Sequence, residues 1–178
     1  MYRSTAVAVL TVTMLAALAP SPGHADAIGD SNLCYAQFAT GDNKAAIDYC
    51  SRAISSGELG DPDLIAALIN RGVAYKNVGD LNAAIADYTQ ALRIAPRDAL
   101  LYQNRANALR ERGDFDAART DVEQALALDP DSAGAWYVRG AINEAEGDRD
   151  AAREDYRAAL NLDPENEVYK EKFLGLNR

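Results

Sequence analysis

The feature that most constrains this chain is its similarity to itself at a spacing of 34 residues. Gly79, Gly113 and Gly147 fall in register, each followed by an aspartate: Asp80, Asp114 and Asp148. Ala83, Ala117 and Ala151 match, as do Ala84, Ala118 and Ala152. The pairs Ala91–Leu92, Ala125–Leu126 and Ala159–Leu160 follow, and Pro96, Pro130 and Pro164 close each unit. So many coincidences at one spacing exceed compositional bias. A period of this length means stacked units, each too small to bury its apolar face alone.

The physics of one unit is readable. A first stretch such as Leu64–Val78 has apolar residues recurring at three and four, which predicts a helix. The Gly-Asp pair then ends it, because glycine accepts the left-handed conformation of a helix terminus. The aspartate sits near the next helix N-terminus, where its charge suits the dipole. A second stretch, Ala83 to Ile94, carries alanine where two helices must approach closely, and Pro96 forbids continuation. Each unit is therefore two antiparallel helices, and the chain is all-α.

These landmarks resemble the tetratricopeptide repeat (TPR) family, in its secreted or periplasmic bacterial type. Its bulky residue early in the first helix is matched by Leu68, Tyr102 and Trp136, and its small residue four later by Gly72, Ala106 and Gly140. Its next aromatic is matched by Tyr75, weakly by Leu109, and not by Asn143. In the second helix the small residue is Ala84, Ala118 or Ala152, and the following aromatic is Tyr88, Val122 or Tyr156. The resemblance implies a right-handed superhelix of antiparallel helix pairs. Three full repeats are expected at 65–98, 99–132 and 133–166. A degenerate hairpin with its connecting loop should occupy 26–64: Gly41-Asp42, Ala45-Ala46 and Ala53-Ile54 match the landmarks. The step from Gly41 to Gly79 is 38, so about four residues are inserted, most naturally within Gly57–Asp63, with the closing proline displaced to Pro62. Residues 167–178 read as a capping helix, with Val168, Tyr169, Phe173 and Leu174 covering the last repeat and Lys170, Glu171 and Lys172 facing water.

Residues 1–25 read as a cleaved signal peptide. Arg3 is the only charge near the start, and Thr5 to Ala19 is an unbroken small and apolar run. Pro20 and Pro22 should stop any helix, and Ala25 offers a small residue for cleavage. The run is shorter than a membrane span needs, so no stable membrane insertion is expected after cleavage, and the protein is expected to be periplasmic or secreted. Cleavage removes one cation from a chain of formal net charge −9. So acidic a protein repels nucleic acid. Cleavage also removes His24, the only histidine. That excludes Ser-His-Asp and Cys-His nucleophile systems and histidine-ligated metal sites, so neither an enzyme, a cofactor nor a metal is expected. The acidic cluster Glu144, Glu146, Asp148 and Asp150 lacks the pattern of a calcium loop and reads as a solvated turn.

Two cysteines remain, Cys34 and Cys50. Cys34 takes the place of Gly72 and Cys50 that of Tyr88. Each lies eight residues from Asp42 at the turn, so an antiparallel hairpin sets them at one height. A structural disulfide is expected in an oxidising compartment, worth about 3 kcal/mol in the chain-entropy model. The alternative is two buried free thiols. Arg71, Arg105 and Arg139 each precede an aspartate by 16 residues: Asp87, Asp121 and Asp155. The pattern reads as ion pairing within or between repeats, or else as a charged recognition row.

The resemblance further implies that the first helices line a concave groove able to hold a partner protein or peptide. The residues expected there are Ile69, Asn70 and Val73; Gln103, Asn104, Asn107 and Arg110; and Tyr137 with Ala141. Asn70 and Asn104 resemble an asparagine ladder, since an amide offers donor and acceptor to a peptide main chain; the alternative is a solvated polar face. The function expected is an exported protein–protein interaction module: an adaptor, assembly factor or chaperone-like subunit of an envelope complex. The alternative is an accessory or small-molecule-binding subunit of an envelope enzyme.

Overall fold

A computed structural model describes residues 22–176; the apolar run of the expected signal peptide lies outside the described residues. Those described form nine helices and no strand. They pair as α1 (Pro22–Thr40) with α2 (Asn43–Ser55), α3 (Asp61–Asn77) with α4 (Leu81–Ile94), α5 (Ala99–Arg112) with α6 (Phe115–Leu128), and α7 (Ala133–Glu146) with α8 (Arg149–Leu162). The ninth helix, α9 (Glu167–Gly175), stands alone. None is long and apolar enough to cross a membrane.

The 34-residue punctuation works as local chemistry. Gly113 and Gly147 cap α5 and α7 at φ of 94° and 88°, a left-handed backbone that only glycine adopts without strain. The next aspartate accepts a hydrogen bond from the backbone N–H three residues on: Asp80 from Ala83 at 3.0 Å, Asp148 from Ala151 at 3.0 Å. Asp114 is different, because Arg112 Nε donates to its carboxylate at 2.7 Å. After each proline the next first helix starts on Asp98, Ser132 or Asn166, whose side chains accept from Leu101, Ala135 and Val168 N–H groups.

Within each hairpin one close packing contact between the two helices falls at positions 16 residues apart. Gly72 lies against the buried Tyr88 ring, where an added Cβ would come within 2.7 Å of Cε1. Gly140 lies equally close to Tyr156. In the middle repeat both partners change, to Ala106 and Val122, which join one core cluster. In the first hairpin the same positions hold the Cys34–Cys50 disulfide, with Cα atoms 4.8 Å apart. Repeat variation at this contact thus conserves filled volume, as close packing demands.

The hairpins stack unevenly. First helices contact one another in series, α1 with α3, α3 with α5 and α5 with α7; no comparable contact joins α2 with α4, α4 with α6 or α6 with α8. The stack therefore curves with first helices on its inner face.

Three expectations change. Pro22 does not stop a helix but opens α1, because a first-turn proline lacks only an N–H that would be unpaired anyway. Cleavage after Ala25 would fall in the first turn of α1, just before the buried Ala27. Pro62 does not close the preceding hairpin; it sits in the first turn of α3, which reaches 17 residues against 14 in α5 and α7. The insertion thus lengthens a helix as well as a loop. On α9, Val168 and Leu174 are 53% and 51% exposed. The inward residues are Tyr169, Lys172, Phe173 and Leu176, a single helical stripe; Lys172 donates to Glu144 at 2.9 Å instead of facing water.

Candidate partner-binding groove

The inner face is built from repeat-related columns on α1, α3, α5, α7 and α9. Ile69, Gln103 and Tyr137 form one column, and each is turned toward the neighbouring repeat. Ile69 packs on the core cluster that holds Leu101. Gln103 Oε1 accepts from Ser132 Oγ at 2.8 Å, and its amide fills the space above Gly134. The Tyr137 ring lies between those of Tyr156 and Tyr169, at 5.6 and 5.1 Å between centroids. This column therefore joins repeats.

The next column holds Asn70 and Asn104, with Val138 in the third repeat. Both asparagines are half-buried, and neither amide makes a hydrogen bond to the described residues. The following column holds Tyr35, Val73, Asn107 and Ala141. Tyr35 is 65% exposed, and Val73 packs partly on the core. Asn107 Oδ1 accepts from Arg110 Nη2 at 2.8 Å, so that amide is engaged.

A fourth column is ionic. Lys76 and Arg110 approach the same Glu111 carboxylate at 3.6 and 3.3 Å, and Lys172 reaches Glu144. Glu144 also accepts from Tyr156 Oη at 2.6 Å. Burial pulls the Glu144 pKa upward, but the hydrogen bonds from Lys172 and Tyr156 outweigh it and hold the carboxyl below its ordinary value. The Tyr156 hydroxyl is pushed up, first by burial and then by Glu144.

The periodic arginines are not in the groove as free cations. Arg71, Arg105 and Arg139 each grip an aspartate of their own hairpin: Asp87 at 2.6 Å, Asp121 at 2.7 Å and Asp155 at 2.7 Å. All three aspartates are buried. Arg71 also donates to Ser51 and Arg105 to Thr89, both on the preceding second helix. Arg71 and Arg105 thus tie their hairpins together and to the preceding ones. Burial of Arg71 works against its charge, yet the Asp87 hydrogen bond prevails and its pKa is raised.

Asn143, which departs from the aromatic pattern, carries a polar link missed in the sequence. Buried between hairpins, it donates to Asp155 Oδ2 at 2.8 Å and accepts from Arg119 Nη2 at 3.0 Å. Arg119 goes on to Glu146. The repeat-equivalent of Arg119 is Ile85 and that of Asn143 is Leu109. These two differences make one outer cleft, of about 400 Å³, apolar at Ile85, Leu109 and Ala117, and the next, of about 470 Å³, charged. The acidic residues near 144–150 belong to such pairs and caps; among the described residues no group of three or more potential ligands could hold a metal.

Comparison with known proteins agrees with this architecture. Three family models described as tetratricopeptide repeat match residues 65–98, 87–120 and 104–167. No curated protein sequence matches the chain. Among solved structures, the first TPR domain of human RPAP3 is 28% identical, with a TM-score of 0.62 over 65% of this chain and 91% of that one. The first TPR of Spaghetti (RPAP3) bound to the HSP90 peptide SRMEEVD is also 28% identical, with a TM-score of 0.62 over 66% and 96%. MamA from Desulfovibrio magneticus RS-1 is 20% identical, with a TM-score of 0.69 over 85% and 84%, a likeness of fold.

Proposed function

Because the chain belongs to the tetratricopeptide repeat family, matched from residue 65 to residue 167, we propose that it is an exported protein–protein interaction module. It serves as an adaptor, assembly factor or chaperone-like subunit of an envelope complex, and it holds an extended partner segment along its inner face. The observation that carries this reading is the pair Asn70 and Asn104. They lie one repeat apart on adjacent inner helices, with their hydrogen-bonding capacity unused inside the protein. An amide so placed can take both the N–H and the C=O of a peptide main chain. The peptide-bound RPAP3 structure supports the same use of this fold. The expected loss of the one histidine with the signal peptide removes histidine-dependent catalysis and favours a binding role over an enzymatic one.

The second reading, a small-molecule-binding accessory subunit, draws on the apolar outer cleft at Ile85 and Leu109. That cleft recurs one repeat later in charged form, which marks it as the gap between successive second helices. The inner face is therefore favoured.

The test is affinity capture from an envelope extract with three forms of the mature protein. These are wild type, Asn70→Ala/Asn104→Ala, and the outer-face control Gln90→Ala/Gln124→Ala. A partner held by wild type and control but lost by the asparagine variant supports the groove. Equal retention by all three refutes it.

A further inference from the structure

The groove's free groups and its charged groups are segregated. Two groups with unused hydrogen-bonding capacity, Asn70 and Asn104, are uncharged, and the adjoining column holds the exposed Tyr35 and the half-buried Val73. The cations of the inner face are already held: Lys76 and Arg110 by Glu111, and Lys172 by Glu144. Arg71, Arg105 and Arg139 are committed to buried aspartates. Beside Asn70 and Asn104 a ligand carboxylate would compete with carboxylates already in place for cations that are already paired. The single surplus charge where two cations share Glu111 sits in a chain of net charge −9, whose field repels an acidic segment.

Resting on the groove reading above, we infer that the site selects an extended partner segment without charged side chains. Its main chain lies on Asn70 and Asn104, and its aliphatic or aromatic side chains lie against Tyr35 and Val73. Acidic segments are refused. SRMEEVD, carried by the related RPAP3 domain, has three acidic side chains against one arginine and is the wrong chemistry here. Binding that gains nothing from ion pairing is insensitive to salt, since only exposed charge interactions are screened.

The experiment pans a phage-displayed random heptapeptide library on the mature protein and counter-screens each binder on Asn70→Ala/Asn104→Ala, whose fold is checked by circular dichroism. Synthetic SRMEEVD is titrated in parallel. The expected result is a set of asparagine-dependent binders lacking Asp, Glu, Lys and Arg, with affinity changing less than about twofold between low and high salt, and no saturable binding of SRMEEVD. A second variant, Glu111→Gln/Glu144→Gln, frees Lys76, Arg110 and Lys172 and should bring SRMEEVD binding into the saturable range, at least about tenfold tighter than the wild-type detection limit, the scale of a charge-assisted contact. Asparagine-dependent binders rich in Asp and Glu, weakened by salt, would overturn the inference while leaving the groove in place. Binders indifferent to the asparagine variant, or none, would remove the groove reading and the inference with it.

Discussion

The contact between Gly72 and Tyr88 offers a quantitative test of how the repeats are built. An alanine at 72 would put its Cβ 2.7 Å from Cε1 and 2.9 Å from Cζ of a ring that is fully buried and has no free side to move into. Overpacking of this kind costs about 1–3 kcal/mol. Alanine in place of a helical glycine returns about 0.5–1 kcal/mol, so Gly72→Ala should destabilise by about 1–2 kcal/mol net. The middle repeat carries the solution to this clash, Ala106 against Val122. In a Tyr88→Val background the ring is gone, and the same Gly72→Ala change should stabilise by about 0.5–1 kcal/mol. The double-mutant coupling is then about 2 kcal/mol, within the range for residues in direct contact. Urea unfolding of the four proteins, followed by circular dichroism at constant m-value, measures it. A coupling below about 0.5 kcal/mol, the error of additivity, would refute the claim that the two positions trade volume.

Other outcomes follow from the same contacts. Thiol labelling of the unreduced, denatured mature protein should find no free cysteine, and reduction should lower stability by about 3 kcal/mol for a loop of this size; two labelled thiols would contradict the bond. Asn143→Leu, which copies Leu109 from the preceding repeat, should cost about 1–3 kcal/mol, because Asp155 in the same hairpin and Arg119 in the preceding one each lose a hydrogen-bond partner; a stabilised variant in urea unfolding would show the bridge to be dispensable. Glu144 has a depressed pKa in the folded state, so its contribution to stability is present above its ordinary pKa of 4.5 and is lost as pH falls through the lower folded value. Glu144→Gln should flatten that acid limb, and an unchanged limb would show that the Lys172 and Tyr156 contacts do not couple to folding. Mass spectrometry of the exported protein should find Asp26 as the first residue; a chain retaining Met1 in that fraction would rule out cleavage.

Local chemistry was the legible part. Gly113, Gly147, Asp80 and Asp148 act within a few residues of themselves, so their roles can be read from type and spacing. The 16-residue step could also be read, because two arms of equal length meet at one height. It placed Cys34 against Cys50 and each periodic arginine against its aspartate. What was hidden depends on the rotation from one hairpin to the next. That rotation turns Ile69, Gln103 and Tyr137 toward the neighbouring repeat, and it decides that Lys172 of α9 meets Glu144 while Val168 and Leu174 stay exposed. Asn143 was hidden for the same reason: two of its partners, Arg119 and Asp155, lie on α6 and α8, and no local pattern links those helices. Pro22 and Pro62 were misread because a proline that ends one helix and a proline that begins another look alike until the backbone around them is known.

Hydrogen exchange on the mature protein, with and without its captured partner, tests the central claim most directly. Slowed exchange on partner binding is expected at the inner helices, in peptides spanning Asn70 to Lys76 on α3 and Asn104 to Glu111 on α5, with α4 and α6 unchanged. Slowed exchange confined to α4 and α6, on the outer face, would contradict the groove as the binding surface.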